Sequence, residues 1–172
     1  MKRFGLIFLF LLGCQTTQNQ PFDPAKVYFG GEGVAKYHPY TRVAKCRTAF
    51  GLDPSAFAGM VTAVSTRIHE RFPAMTKAGK RGGPYDPKAR CVRVKGVESG
   101  ESITLRAVDK CCGGSLSNKT THQLDMAEEA FVKIGAKAKG NLRVTWALVD
   151  CPTELQIQSD SAICNDDYYF TP

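Results

Sequence analysis

The sequence has no apolar run long enough to cross a membrane. The longest, residues 4–12, is about half the length that a spanning helix of about 20 residues needs. Basic residues are scattered rather than grouped in blocks, which argues against a nucleic-acid partner. The chain has no Cys-x-x-Cys pair, and its three histidines are far apart, which argues against zinc. The sequence therefore predicts no spanning helix, no nucleic acid, no metal and no cofactor.

The N-terminus has the pattern of an export signal. Two basic residues precede the apolar run, so we predict a signal peptide over residues 1–14 and a polar linker over residues 15–26. The letters L-L-G-C that end at Cys14 are similar to a bacterial lipobox, in which Cys14 would carry a lipid anchor. Ordinary cleavage and lipidation both export the domain, which predicts a secreted protein or a lipid-anchored outer-surface lipoprotein.

Length and charge set further bounds. The 172 residues suffice for one domain with a sizeable core, which we place at residues 27–151, followed by a tail over residues 152–172. Beyond residue 20 the chain has 21 Lys and Arg against 16 Asp and Glu, a net charge of +5. This excess either attracts anionic polymers weakly or keeps the surface soluble.

Seven cysteines, of which Cys14 lies in the predicted signal, suit an exported domain. The remaining even number predicts up to three disulfides, and spacing selects none of the 15 possible pairings. Adjacent Cys111 and Cys112 are not expected to pair with each other, because a vicinal bridge strains the peptide. The six candidates are Cys46, Cys91, Cys111, Cys112, Cys151 and Cys164.

Residues 102–151 are predicted to form a strand, a cysteine-rich loop, a short helix and a second strand. Apolar and polar residues alternate over residues 102–108, the pattern of a half-buried strand, and Asp109 follows where that strand ends. Asp125 is predicted to open the helix, where a carboxylate suits the unpaired N–H groups of the first turn. The final strand, residues 142–149, holds the only tryptophan.

The first half of the chain is less regular. Residues 27–37 predict a strand whose three glycines mark a bulge or a close approach to the backbone. Asp53 is the predicted N-cap of a helix, with Pro54 at its first position. Apolar residues at helical spacing then continue to Ile68, and residues 90–97 return to a strand pattern.

The order of these segments resembles the double-psi β-barrel of expansins, loosenins and barwin- or kiwellin-like secreted proteins. The resemblance is carried by A-V-D-K-C around Asp109, H-Q-L-D-M around Asp125, A-F-V-K-I at residues 130–134 and R-V-T-W at residues 143–146, and more loosely by residues 60–66 and 90–94. It implies a mainly β fold: a six-stranded double-psi β-barrel with short helices, stapled by disulfides. In the family one disulfide joins strands that correspond to Cys46 and Cys91.

The resemblance also implies a site. In expansin-like proteins both aspartates line an open groove, and the one in the L-D-[LM] segment, here Asp125, is the residue on which activity depends. Asp125 and Asp109 are therefore the candidate catalytic or groove carboxylates. The candidate substrate-binding residues on the first strand are Tyr28, Glu32, Tyr37, His38 and Tyr40. The alternatives are structural: a helix cap for Asp125, loop N–H bonds for Asp109, and barrel packing for the aromatics.

The predicted function rests on two motifs of related enzymes that this sequence lacks. Family-45 endoglucanases need a first-strand aspartate in T-R-Y-x-D, and the corresponding A-K-Y-H-P-Y has no acid there. Rare lipoprotein A, a lytic transglycosylase, has R-G-P-F after its aspartate, where this chain has K-C-C-G. We therefore predict binding and non-hydrolytic loosening of cell-wall polysaccharide. The alternatives are a peptidoglycan lytic transglycosylase and a protein-binding effector or inhibitor of kiwellin or barwin type.

Overall fold

A computed structural model describes residues 27–40, 48–71, 91–113, 120–157 and 162. The predicted signal peptide and linker, with Cys14, lie outside the described residues, as do Cys46 and Cys164. Within the described part of the chain, no helix has both the length and the apolar character needed to span a bilayer.

Six strands close into a barrel in the order β1-β5-β2-β4-β3-β6. They are β1 (Val27–His38), β2 (Val61–Val64), β3 (Cys91–Gly96), β4 (Ser102–Lys110), β5 (His122–Ala127) and β6 (Leu142–Val149). The pairs β1–β5 and β2–β4 are parallel. The other four neighbouring pairs are antiparallel. The predicted double-psi β-barrel is confirmed.

Short helical segments accompany the strands. The α-helices are α1 (Thr66–His69) and α2 (Glu128–Ile134), and 3-10 turns cover Pro54–Phe57, Lys137–Lys139 and Thr153–Leu155. The helix α2 buries Ala130, Phe131 and Ile134 against the barrel. Its apolar spacing was correctly interpreted as helical, because residues three and four apart share one face.

The predicted helix after Asp53 is wrong beyond its first turn. Asp53 does cap that turn, because its Oδ1 accepts the Ser55 N–H at 2.9 Å. The turn ends where Ala58 and Gly59 adopt φ of 48° and 76°, which an α-helix cannot continue. The next apolar residues form β2, buried along its whole length. A strand that is covered on both faces is mostly apolar, so residues at helical spacing within it are apolar by chance.

The predicted cap role of Asp125 is also wrong. The helix α2 begins at Glu128, and its N-cap position is Ala127, which makes no side-chain cap. Asp125 instead lies within β5, whose pairing with β1 continues to Ala127. Extended pairing on both sides of β5 keeps this segment out of the helix, so the carboxylate of Asp125 is available for another role.

The disulfide prediction is corrected as well. Cys91 is bonded to Cys151, so the predicted Cys46–Cys91 bridge is not formed. Cys111 and Cys112 are thiols, so the disulfides predicted for these two residues are also absent from the structure. The cause is register: Cys91 is paired with Val149 across β3 and β6, which brings Cys151 within 5.0 Å of it, Cα to Cα.

The glycines of β1 make room for side chains of the barrel itself. A Cβ at Gly31 would lie 2.9 Å from Cζ2 of Trp146, and a Cβ at Gly33 would overlap Cγ of Gln123. Gln123 is fully buried, and its Oε1 accepts the Ser65 Oγ–H at 2.9 Å. At these two positions the group that closely approaches the glycine backbone is therefore a side chain of the barrel itself, not a ligand.

We expect Gly33→Ala to lower the free energy of unfolding by about 1–3 kcal/mol, the usual cost of overpacking a core. The reason is that Gln123 cannot move aside without breaking its bond to Ser65. Urea denaturation followed by tryptophan fluorescence measures the change. Gly113→Ala is the matched control, since a Cβ there meets nothing within 4 Å. Equal midpoints for the two variants would contradict this packing.

Candidate functional site

The two candidate aspartates are brought together by β2. Ala63 of β2 is paired with Asp109 of β4 on one side and with Asp125 of β5 on the other. Paired residues on neighbouring strands share one face of the sheet, and their Cα atoms lie about 5 Å apart, so the two aspartates are about 10 Å apart. They come from separate strands of the chain but lie on one surface of the barrel.

This surface is the outer face of the barrel wall. The neighbours of Asp125 in β5, Leu124 and Met126, are fully buried in the core. Successive side chains of a strand point to opposite faces, so Asp125 points away from the interior. Lys36 of β1 is paired with Asp125 and is exposed on the same face.

Tyr40 lies close enough to this surface to interact electrostatically with both carboxylates. It is only 5% exposed, and its pKa is raised, first by burial and then by the charges of Asp109, Asp125 and Cys111. A backbone hydrogen bond from Ala63 acts in the opposite direction. The Tyr40 hydroxyl therefore keeps its proton and can act as a neutral donor beside two acceptors.

Asp109 is held by backbone groups. Its Oδ1 accepts the N–H of Ala49 at 2.7 Å and of Lys110 at 2.8 Å. Burial raises the pKa of Asp109, while these two hydrogen bonds and the charges of His38 and Lys110 act against the rise. The ring of His38 also contacts that of Tyr40 edge-on, at 5.0 Å between centroids. The loop-bonding role considered for Asp109 is present, and its carboxylate still faces the site.

Asp125 is paired with a histidine that the sequence analysis did not single out. Nε2 of His122 lies 2.6 Å from Asp125 Oδ1 and 3.2 Å from the carbonyl oxygen of Leu124. Both neighbours accept, so Nε2 carries the proton. In a regular strand, residues three apart face opposite sides. A register irregularity in the β1–β5 pairing falls between His122 and Leu124 and brings His122 to Asp125.

Two thiols adjoin this pair. Cys111 Sγ and Cys112 Sγ are 2.8 Å apart, and both are thiols. Ligand atoms of Cys111, Cys112 and His122 all lie within 4.8 Å of one another. The pKa of Cys111 is raised, chiefly by its hydrogen bond with Cys112 and then by burial. Sequence spacing argued against a metal, because the chain has no Cys-x-x-Cys pair and its histidines are far apart, but the fold brings Cys111, Cys112 and His122 together.

The structure separates two predicted aromatics from the carboxylates. Tyr28, at the other end of β1, donates its hydroxyl to Asp150 Oδ1 at 2.6 Å. Tyr37 alternates with Lys36 and so points to the opposite face, where it packs edge-on against Phe131 at 5.3 Å. For these two residues the geometry favours the packing interpretation.

Glu32 shares the outer face but is more distant. It lies four residues before Lys36 in β1, about 13 Å along the strand. We call the surface that the structure assembles the aspartate face. It consists of Lys36, His38, Tyr40, Asp109, His122 and Asp125.

The chain therefore folds into a closed six-stranded double-psi β-barrel with two aspartates on one outer face. Residues 36–151 match the Barwin family, and the chain belongs to that family. The match begins at Lys36 and ends at Cys151, so it covers every residue of the aspartate face.

Solved structures share the fold at low sequence identity. An apo expansin of Clavibacter michiganensis is 20% identical with a TM-score of 0.50, over 73% of this chain and 52% of that one. A point mutant of that expansin, in complex with cellohexaose, has 19% identity and a TM-score of 0.48 over the same shares. A Streptomyces papain inhibitor has 22% identity and a TM-score of 0.47, over 72% of this chain and 96% of that one. The chain thus spans about half the length of the expansin.

Proposed function

We propose that this protein binds cell-wall polysaccharide through the aspartate face and loosens its packing without cleaving bonds. The observation that carries the proposal is the placement of Asp109 and Asp125 on either side of Ala63, where both also interact electrostatically with Tyr40. Two acceptors and a protonated donor on one surface match the alternating donors and acceptors of sugar hydroxyls.

Each group is held in place before a ligand arrives. His122 fixes one oxygen of Asp125, two backbone N–H groups fix Asp109, and burial fixes Tyr40. Side chains that are already ordered lose little conformational entropy when they bind, so more of their hydrogen-bond energy contributes to affinity. His38 and Lys36, which lie on the same face, would contact the glycan at its edges.

The choice of ligand class starts from the family. Membership of the Barwin family, and the fold shared with an expansin, make wall glycans the polymers to test first. Hydrogen bonds that sugar hydroxyls donate to a carboxylate are charge-assisted and so are stronger than neutral ones. That suits an outer surface, where each bond competes with water.

Non-hydrolytic action is proposed because the first strand lacks the aspartate that family-45 endoglucanases have in their T-R-Y-x-D segment. The first strand has no carboxylate beside Asp125, and Glu32 lies about 13 Å further along it. Glycoside hydrolysis normally needs two carboxyl groups that flank the scissile bond. Lys36, rather than an acid, is paired with Asp125 from β1.

A lytic transglycosylase is the second candidate, and one observation favours it. Burial raises the pKa of Asp109, so this carboxyl holds its proton at a higher pH than an ordinary aspartic acid. A single carboxyl that serves first as base and then as acid suffices for lytic cleavage.

Pull-down with insoluble cellulose, chitin and peptidoglycan, followed by mass spectrometry of the soluble fraction, separates the candidates. We expect retention on at least one polymer and no release of reducing or anhydro-sugars. Sustained release of anhydro-sugar that Asp109→Asn or Asp125→Asn abolishes would establish the transglycosylase instead. Failure to bind any of the three polymers would contradict both, and a protein-binding effector or inhibitor would then lead.

A further inference from the structure

We propose that Cys111, Cys112 and His122 bind a soft divalent cation of the Zn²⁺ type, with one coordination position left open. Two thiolates and an imidazole are ligands that zinc prefers. Ligand atoms of the three residues already lie within 4.8 Å of one another. The inference goes beyond glycan binding and does not rest on it.

The distances suit a single ion. Zinc lies at about 2.3 Å from sulfur and about 2.0 Å from nitrogen, so tetrahedral ligands are roughly 3.3–3.8 Å apart. The two sulfurs are 2.8 Å apart, and the three ligand atoms span at most 4.8 Å. The separations that tetrahedral coordination requires fall between the shortest and the longest of these observed distances. Small side-chain rotations would therefore bring all three ligand atoms into contact with one ion.

His122 makes the outer-shell contact that metal-binding histidines commonly make. Its Nε2–H faces Asp125 Oδ1 at 2.6 Å and the Leu124 carbonyl oxygen at 3.2 Å. The lone pair is therefore on Nδ1, the nitrogen that remains to act as a ligand. A carboxylate that accepts the other N–H of a ligating histidine fixes its tautomer and raises its basicity. Asp125 would be this positioning residue.

The backbone of both cysteines is anchored to the end of β2. The N–H of Cys111 donates to the carbonyl oxygen of Val64 at 2.9 Å, and the carbonyl oxygen of Cys112 accepts the N–H of Thr66 at 3.1 Å. The backbone of the two cysteines is thus held beside β5, which supplies His122. Binding releases one proton from each thiol, and the two thiolates neutralise the charge of a dication.

Zinc titration of the reduced full-length protein tests the proposal. After reduction and desalting without oxygen, the protein is dialysed against buffered zinc, and bound metal is measured by mass spectrometry. Cobalt substitution reports geometry, because tetrahedral thiolate coordination gives sulfur-to-cobalt charge-transfer bands together with strong visible absorption. We expect one zinc per chain and these cobalt bands.

Variants assign the ligands. Cys112→Ser and His122→Asn should each raise the Kd for zinc at least tenfold. Asp125→Asn should retain one zinc but bind it about 10- to 100-fold more weakly, as loss of an outer-shell partner does. His38→Asn is the matched control: His38 is a histidine on the same face, and its variant should bind zinc as the wild type does.

Three results would overturn the proposal. One is a reduced wild-type protein that binds no zinc at micromolar concentration. Another is unchanged affinity in both Cys112→Ser and His122→Asn when circular dichroism shows that both variants are folded. The third is cobalt binding without charge-transfer bands. Polysaccharide pull-down is a separate measurement, so failure of the metal site and failure of the proposed function are distinguishable.

Discussion

Asp125→Asn is expected to weaken polysaccharide binding about 10- to 100-fold while the melting temperature stays unchanged. A hydrogen bond to a charged group contributes about 1.5–3 kcal/mol, and each 1.4 kcal/mol is about a tenfold change in Kd. Asn removes the charge but keeps an oxygen that can accept the His122 Nε2–H, so the local structure is spared. Isothermal titration with soluble oligosaccharides measures the change in affinity.

Asp125→Ala is less informative than Asn, because it also removes the acceptor of the His122 Nε2–H, although it leaves the start of α2 intact. Because α2 begins at Glu128 and takes no side-chain cap from the preceding residues, Ala at position 125 does not cost the helix a cap. Asp53→Asn is the control, since Asp53 is a true cap and Asn caps about as well as Asp. It should leave both stability and binding unchanged. Equal oligosaccharide affinity in wild type and Asp125→Asn would rule out the aspartate face as the binding surface.

Cys91→Ala should lower the free energy of unfolding by about 2–5 kcal/mol, the usual cost of losing a native disulfide. Its bond to Cys151 joins residues 60 positions apart, across β3 and the segment after β6. The fully buried Arg106 lies beneath it, with Nη1 3.2 Å from Cys151 Sγ and 3.3 Å from the Leu155 carbonyl oxygen. Loss of the disulfide would therefore disturb the contacts of the buried Arg106 side chain and would also increase the conformational entropy of the unfolded chain.

Differential scanning calorimetry should show a fall in Tm of roughly 4–20 °C for Cys91→Ala. Cys112→Ser is the matched control, because Cys112 is a thiol and its change breaks no disulfide. Peptide mapping of the wild type should find Cys91 joined to Cys151. A Cys46–Cys91 peptide, or equal melting temperatures for the two variants, would contradict this connectivity.

The sequence pattern within a segment was sufficient to predict a strand where apolar and polar residues alternate. The strand Leu142–Val149 was predicted with its observed bounds, and Ser102–Lys110 with its observed start. Apolar side chains at every second position of Leu142–Val149 meet the core, and the same is true of Leu105 and Ala107 in Ser102–Lys110. The motif order then indicated which barrel these strands build.

Local pattern failed where two elements compete for one segment. The residues Val61–Val64 have helical spacing and also suit a strand buried on both sides, and the neighbours β4 and β5 decide between them. Asp125 is a second example. The residues that follow it do form a helix, but the pairing of β5 with β1 and β2 continues beyond Asp125, so the helix begins only at Glu128.

The sequence by itself predicted the class of barrel and the two candidate carboxylates, because its motifs follow the order of those in a known family. Only the tertiary structure determined which partners the cysteines and the carboxylates contact. Cys91 bonds to Cys151 because β3 and β6 are in register, and His122 reaches Asp125 because the β1–β5 register shifts beside it. Register between strands is set by packing across the closed barrel, and no spacing within one segment encodes it.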